Sequence, residues 1–106
     1  MASIRLSVPS TATRGEVIEI KALIRHPMES GFRRGSRGEV IPRDIITAFE
    51  CVYVGHTVFE AKFHPGIAAN PILTFHVKAA ESGTLEFKWT DQNGENWSDS
   101  AELEVV

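Results

Sequence analysis

Short runs in which apolar and polar residues alternate recur along the chain, each closed by turn residues, and this period of two is the signature of half-buried strands. Ile4, Leu6 and Val8 form the first run, which Pro9 stops. Gly15 opens a second, with Ile18, Ile20, Ala22 and Ile24 on one face and Glu19 and Lys21 on the other. The segments 45–54 and 57–63 flank Gly55-His56, which predicts a hairpin with a two-residue type II′ turn. From Pro71 to Ala79 the set Leu73, Phe75, Val77 and Ala79 should face inward, and Glu81-Ser82-Gly83 marks the next turn. Leu85, Phe87 and Trp89 then alternate with Glu86 and Lys88. After the Asp91-Gln92-Asn93-Gly94 loop, a last strand from Trp97 to Val105 should turn Ala101 and Leu103 inward.

About seven short strands at this spacing, with no helical period, predict an all-β fold: an immunoglobulin-like two-sheet β-sandwich. The Cys–Trp–Cys signature of antibody domains is absent. One segment breaks the rhythm. The connection from Arg25 to Asp44 is too long and polar for an ordinary turn, and it holds five arginines: Arg25, Arg33, Arg34, Arg37 and Arg43. Long loops in compact domains usually carry function or mobility. Phe32 beside Arg33 and Arg34, with Val40 and Ile41 downstream, is the aromatic-and-arginine composition that protein interfaces favour, so these five residues are the candidate partner contacts. Guanidinium forks would also suit an oxyanion or an acidic partner surface, and a merely solvated loop is an equally open reading.

Length and composition narrow the field. With 106 residues, 42% hydrophobic and 24% charged, the chain should form one domain, residues 1–106, with a core of its own. A net charge of −3 argues against nucleic acid as a partner, because that binding relies on cations neutralising phosphates. No stretch approaches the roughly 20 apolar residues of a membrane span, and the opening residues have neither the basic nor the apolar region of an export signal.

Catalytic and metal chemistry find little support. The single cysteine, Cys51, shares a strand face with Phe49 and Tyr53, which predicts a buried, inert thiol. His26, His56, His64 and His76 show no metal-ligand spacing, although His26 and His64 could converge in a sandwich. The plainer reading is of loop residues that fix turns beside Pro27 and Pro65. No Gly-x-Ser-x-Gly elbow occurs, and Gly31, Gly35 and Gly38 lack the strand and helix that would make them a phosphate-cradling loop. No catalytic residue, cofactor or metal is expected.

The segments His26-Pro27-Met28-Glu29-Ser30-Gly31, Phe49-Glu50-Cys51, His64-Pro65 and Ala69-Asn70-Pro71 are the most distinctive. Together with Val40-Ile41-Pro42-Arg43, Glu81-Ser82-Gly83-Thr84 and Trp89-Thr90-Asp91, they resemble the SoxZ family of sulfur-oxidation proteins in order and spacing. The family motif falls on His26, Pro27, Met28, His64, Pro65, Asn70 and Pro71. The resemblance implies an immunoglobulin-like, non-catalytic subunit of the SoxYZ carrier. In that carrier the partner SoxY holds thiosulfate-derived sulfur on a cysteine of a Gly-rich C-terminal arm, and other Sox enzymes visit in turn. It also implies a periplasmic location reached by co-export with SoxY, and it suggests a homo-oligomer when the chain is isolated. This chain closes on Leu103-Glu104-Val105-Val106 and offers no such cysteine arm. The rival expectation is a redox or metal-binding protein of sulfur metabolism that uses Cys51 with His26 or His64.

Overall fold

In the computed structural model, which describes residues 3–106, eight strands form two sheets and no helix occurs among the described residues. The strands are β1 (Ile4–Ser7), β2 (Thr11–Ala12), β3 (Val17–Ile24), β4 (Ile46–Tyr53), β5 (His56–Lys62), β6 (Ile72–Lys78), β7 (Gly83–Asp91) and β8 (Asn96–Val105). One sheet has the order β1-β3-β6 and the other β2-β8-β7-β4-β5. The sandwich expectation holds, with one strand more than anticipated. Pro9 does stop β1, but the chain then crosses to the other sheet, where Thr11 and Ala12 pair in parallel with Glu104 and Val105 of β8.

The alternation read from the sequence is the burial pattern of the strands. Ile18, Ile20, Ala22 and Ile24 are buried while Glu19 and Lys21 are exposed, and Leu85, Phe87 and Trp89 are fully buried. Phe49 sits at the middle of the core. Its ring lies 4.9 Å from Trp89 and 6.3 Å from Phe87 on the neighbouring strand, and 6.0 Å from Phe75 of the opposite sheet. Phe75 in turn stacks on Phe59 at 4.3 Å, so the aromatic cluster joins both layers. At the far end of β4 the Tyr53 hydroxyl donates to the Glu81 carbonyl and accepts the Glu81 N–H, which fastens the β6–β7 turn to the larger sheet.

The β4–β5 hairpin forms, but one residue earlier than the glycine position suggested. Its turn is Val54-Gly55, with φ of 49° and 79°, and two positive values make it type I′ rather than II′. A β-branched residue is rarely found in the left-handed region, which costs an L-residue about 1–2 kcal/mol. Here the Val54 side chain lies over Gly83, where an added Cβ would come within 2.6 Å of it. Val54→Asn keeps the turn and supplies the residue this position favours. It is expected to raise the melting temperature by a few degrees in a thermal scan, corresponding to about 0.5–1 kcal/mol; an unchanged or lower value would show that the Val54–Gly83 contact outweighs the backbone strain.

The 25–44 connection is an ordered ribbon. Glu29 and Asp44 exchange both backbone hydrogen bonds at 2.8 Å, and Arg34 forms an antiparallel bridge with Val40. At the tip the Gly38 N–H reaches the Gly35 carbonyl and the Gly35 N–H reaches Glu39, with Gly38 at φ 81°. This is a type I turn closed by a glycine bulge. Asp91 to Glu95, between β7 and β8, repeats the same hydrogen bonds, with Gly94 at φ 83°. The domain measures 58 × 20 × 20 Å, with a radius of gyration of 16.1 Å against about 13 Å for a rounded chain of this length.

Candidate functional site

The root of the ribbon is built by the His-Pro-Met segment. His26 is buried, and its Nδ1 accepts the N–H of Met28 at 3.0 Å. That bond assigns the ring proton to Nε2, because a neutral imidazole that accepts at one nitrogen donates at the other. Met28 takes φ 51° and turns its sulfur to the N–H of Ile46 at 3.3 Å, tying the ribbon's start to the start of β4. From the β5–β6 loop, Asn70 accepts the His26 N–H on its side chain at 2.9 Å and donates its own N–H to the His26 carbonyl at 2.8 Å. Pro71, also buried, takes the Ile24 N–H on its carbonyl at 3.3 Å. Four of the motif residues, His26, Met28, Asn70 and Pro71, therefore meet at the ribbon's root. Pro27 lies between them, exposed, while His64 and Pro65 are exposed after β5.

The candidate partner contacts are carried outward on this root. Phe32 is 85% exposed and Val40 51%, a large apolar surface for so thin a ribbon. Ile41 is half-buried and donates its N–H to the Arg33 carbonyl. Arg33 reaches back to Glu29 through Nε at 3.1 Å and Nη2 at 2.6 Å. These bonds hold the Glu29 carboxyl below its ordinary value and raise the guanidinium above its own. Arg34 donates to the Gly38 carbonyl at 2.9 Å. At the ribbon's exit Gln92 accepts from Arg43 Nε at 3.1 Å and donates to the Arg43 carbonyl at 2.8 Å. The ribbon is thus clamped at both feet.

Cys51 is fully buried between β5 and β7, opposite Phe59 and Phe87. Removal from water, with a smaller contribution from the Glu50 carboxylate, pushes its thiol up to about 12. It lies five residues along β4 from Ile46, about 17 Å at the rise of a strand, which separates it from the His26 region. His76 stands on the outer face of the smaller sheet, 3.9 Å from Glu19, and His56 begins β5. Among the described residues no three His, Cys, Asp or Glu side chains are grouped to hold a metal ion. A buried neutral thiol and dispersed imidazoles do not fit a metal or redox centre built from Cys51 with His26 or His64.

Two outcomes follow for the thiol. Native Cys51 is expected to react with a thiol reagent at least about a hundredfold slower than the unfolded chain, since labelling must await opening of the fold; equal rates would contradict burial. The unfolded thiol ionises near 9 while the folded one resists until about 12. The unfolded chain therefore holds fewer protons in that window, and stability falls as pH rises from about 9 toward 12. Cys51→Ser, compared by urea unfolding across this range, should flatten that part of the slope.

Sequence reasoning missed a polar cleft of about 330 Å³ beside the ribbon's root, walled by His26, Asp44, Asp91, Glu95 and Trp97. Its residues come from three separate segments; His26 and Asp91 were each visible in the sequence as turn residues, but nothing there brings them together. Asp91 is buried, and its Oδ1 accepts the N–H groups of Asn93 and Glu95 at 2.9 and 2.8 Å.

The two sheets, antiparallel except for the β2–β8 pair and sealed by an aromatic core, define an immunoglobulin-like β-sandwich whose distinctive residues lie in its connections. The chain belongs to the family described as "Sulphur oxidation protein SoxZ", matched over residues 4–102, and is a sulfur-oxidation protein of the Sox type. No curated protein matches it in sequence. Several solved structures share the fold. A superoxide reductase (neelaredoxin) from Ignicoccus hospitalis superimposes with a TM-score of 0.73 at 19% identity, covering 98% of this chain and 80% of that one. A hypothetical protein from Pyrococcus horikoshii gives 0.65 at 15%, covering 95% and 87%. A CARDB domain from Pyrococcus furiosus, solved in complex with di-metal ions, gives 0.58 at 10%, covering 100% and 94%. At these identities the likeness is one of fold alone.

Proposed function

We propose that this chain is the non-catalytic subunit of a SoxYZ carrier in thiosulfate oxidation. It binds SoxY and helps present the sulfur-loaded C-terminal cysteine arm of SoxY to the other Sox enzymes, with no cofactor of its own. The observation that carries this reading, beside the family, is the state of Cys51. A swinging carrier needs an exposed thiolate on a flexible tether, and a thiol sealed in mid-strand can be neither. The sulfur-bearing cysteine must then belong to the partner. The ribbon, with Phe32 and Val40 exposed between arginines, supports a role in docking SoxY or an incoming enzyme.

On this reading the chain works in the periplasm, carried there by SoxY, and exposed apolar ribbon residues drive self-association when SoxY is absent. A permanent partner of this kind buries roughly 2,000 Å² or more in total. Co-purification with a candidate SoxY, then intact-mass measurement after exposure to thiosulfate and the remaining Sox proteins, tests it. A stable complex with sulfur adducts confined to SoxY is the expected result. An adduct on Cys51, or no complex at all, would overturn the reading.

A further inference from the structure

Among the described residues, the outer edge of β8 is unpaired along most of its length. β2 covers it only at Glu104 and Val105, whereas β7 pairs the other edge from Asn96 to Leu103. The N–H groups of Glu104 and Val106 bond to Ser10 and Ala12, so the even-numbered residues of β8 direct their backbone groups outward. Ser98, Ser100 and Glu102 accordingly offer theirs to an added strand. One of them is covered from within: the Asp99 carboxylate accepts the Ser100 N–H at 2.8 Å. An acidic side chain placed against its own strand edge is a device that keeps such edges from pairing indiscriminately.

The cleft opens at the start of this edge, with Trp97 in its wall. His26, only 6% exposed, lines it and keeps its Nε2–H without a hydrogen bond; the nearest carboxylate oxygen, on Asp44, is 3.6 Å away, too far to accept one well. Asp91, 5% exposed, spends Oδ1 on the turn and leaves Oδ2 without a hydrogen bond. Asp44 and Glu95 add two more carboxylates, against the single cation of Arg25. A donor and an acceptor carried on otherwise buried residues thus open into a space whose charge is negative and whose wall is aromatic.

We propose that the β8 edge and this cleft form one binding site for an extended peptide segment that bears an arginine or lysine. The peptide backbone pairs with Ser98 and Glu102 as an added strand, and with the Ser100 N–H once the Asp99 carboxylate swings off it. Its cation enters the cleft among Asp44, Asp91 and Glu95 over the Trp97 ring, and a peptide carbonyl receives the His26 Nε2–H. Charge selects this occupant: an acidic segment would meet Asp99 at the edge and three carboxylates in the cleft. The site is separate from the exposed ribbon residues, so the chain could hold a basic segment while another partner occupies the ribbon.

The test is an NMR titration of the ¹⁵N-labelled full chain with the acetylated, amidated peptide Thr-Val-Thr-Arg-Thr-Val-Thr. Saturable shifts are expected at the amides of Ser98, Ser100 and Glu102 and at the Trp97 indole. The same peptide with glutamate for arginine should bind at least tenfold more weakly, as should a backbone N-methylated version. Because Asp91 also builds its turn, the cleft is probed with the double variant D44N/E95Q, which should weaken binding at least tenfold with little change in melting temperature. Ser98→Pro removes an outward N–H that an edge strand can spare, and should do the same. Shifts spread over the surface, equal binding of the glutamate peptide, or methylguanidinium binding as tightly as the peptide would each overturn the proposal.

Discussion

Replacing Phe49 by alanine is expected to lower the stability of the fold by about 3–5 kcal/mol, the range for removing a fully buried aromatic ring. At about 4–8 °C per kcal/mol for a domain of this size, the melting temperature should fall by roughly 15–30 °C. The reason is the position of the ring. Phe49 touches Phe87 and Trp89 within its own sheet and Phe75 in the opposite one, so its removal opens a void between the layers. Phe49→Leu, which refills part of that void, should recover much of the loss. Urea unfolding of the two variants separates these values readily, and a loss below about 1 kcal/mol for the alanine variant would mean that the aromatic cluster does not join the sheets.

The opposite profile is expected of Phe32. At 85% exposure its truncation to alanine should leave stability within about 0.5 kcal/mol of the parent. Affinity for SoxY should nevertheless fall by about 2 kcal/mol, or roughly thirtyfold, if the ring is an interface anchor. Arg34→Ala should weaken binding less, because Arg34 already spends one hydrogen bond on the Gly38 carbonyl within the ribbon. Calorimetric titration beside a thermal scan makes the comparison. Unchanged affinity for Phe32→Ala would move the SoxY interface off the ribbon tip.

Much of the fold was legible because strand alternation is local. Phe49, Cys51 and Tyr53 fall on one face by their spacing alone, and all three are buried. Where two local preferences competed, the reading slipped. Gly55 pointed to a turn starting at itself, but cross-strand pairing of Tyr53 with His56 sets the register and forces Val54 into the left-handed region. β2 was invisible because two residues show no periodicity; its partner lies more than ninety positions later in the chain.

The functional region was legible only in part. The ribbon stood out by its length and arginines, but its order did not, since it depends on backbone bonds between Glu29 and Asp44 and on the clamp from Gln92. His26 and Asn70 were each noticed, 44 positions apart, without any sign that they bond to each other. Cleft residues such as Asp44 and Glu95 had no signal, because a charged residue beside a turn reads as solvated until tertiary structure brings others to it.

The particle is 58 Å long and 20 Å wide, and that shape has a practical consequence for assembly measurements. An elongated monomer diffuses more slowly than a sphere of equal mass, and it leaves a gel-filtration column early, where a compact dimer would be sought. Apparent size from elution therefore overstates the number of copies, and only a shape-independent mass, from light scattering or sedimentation equilibrium, can count the chains that travel together.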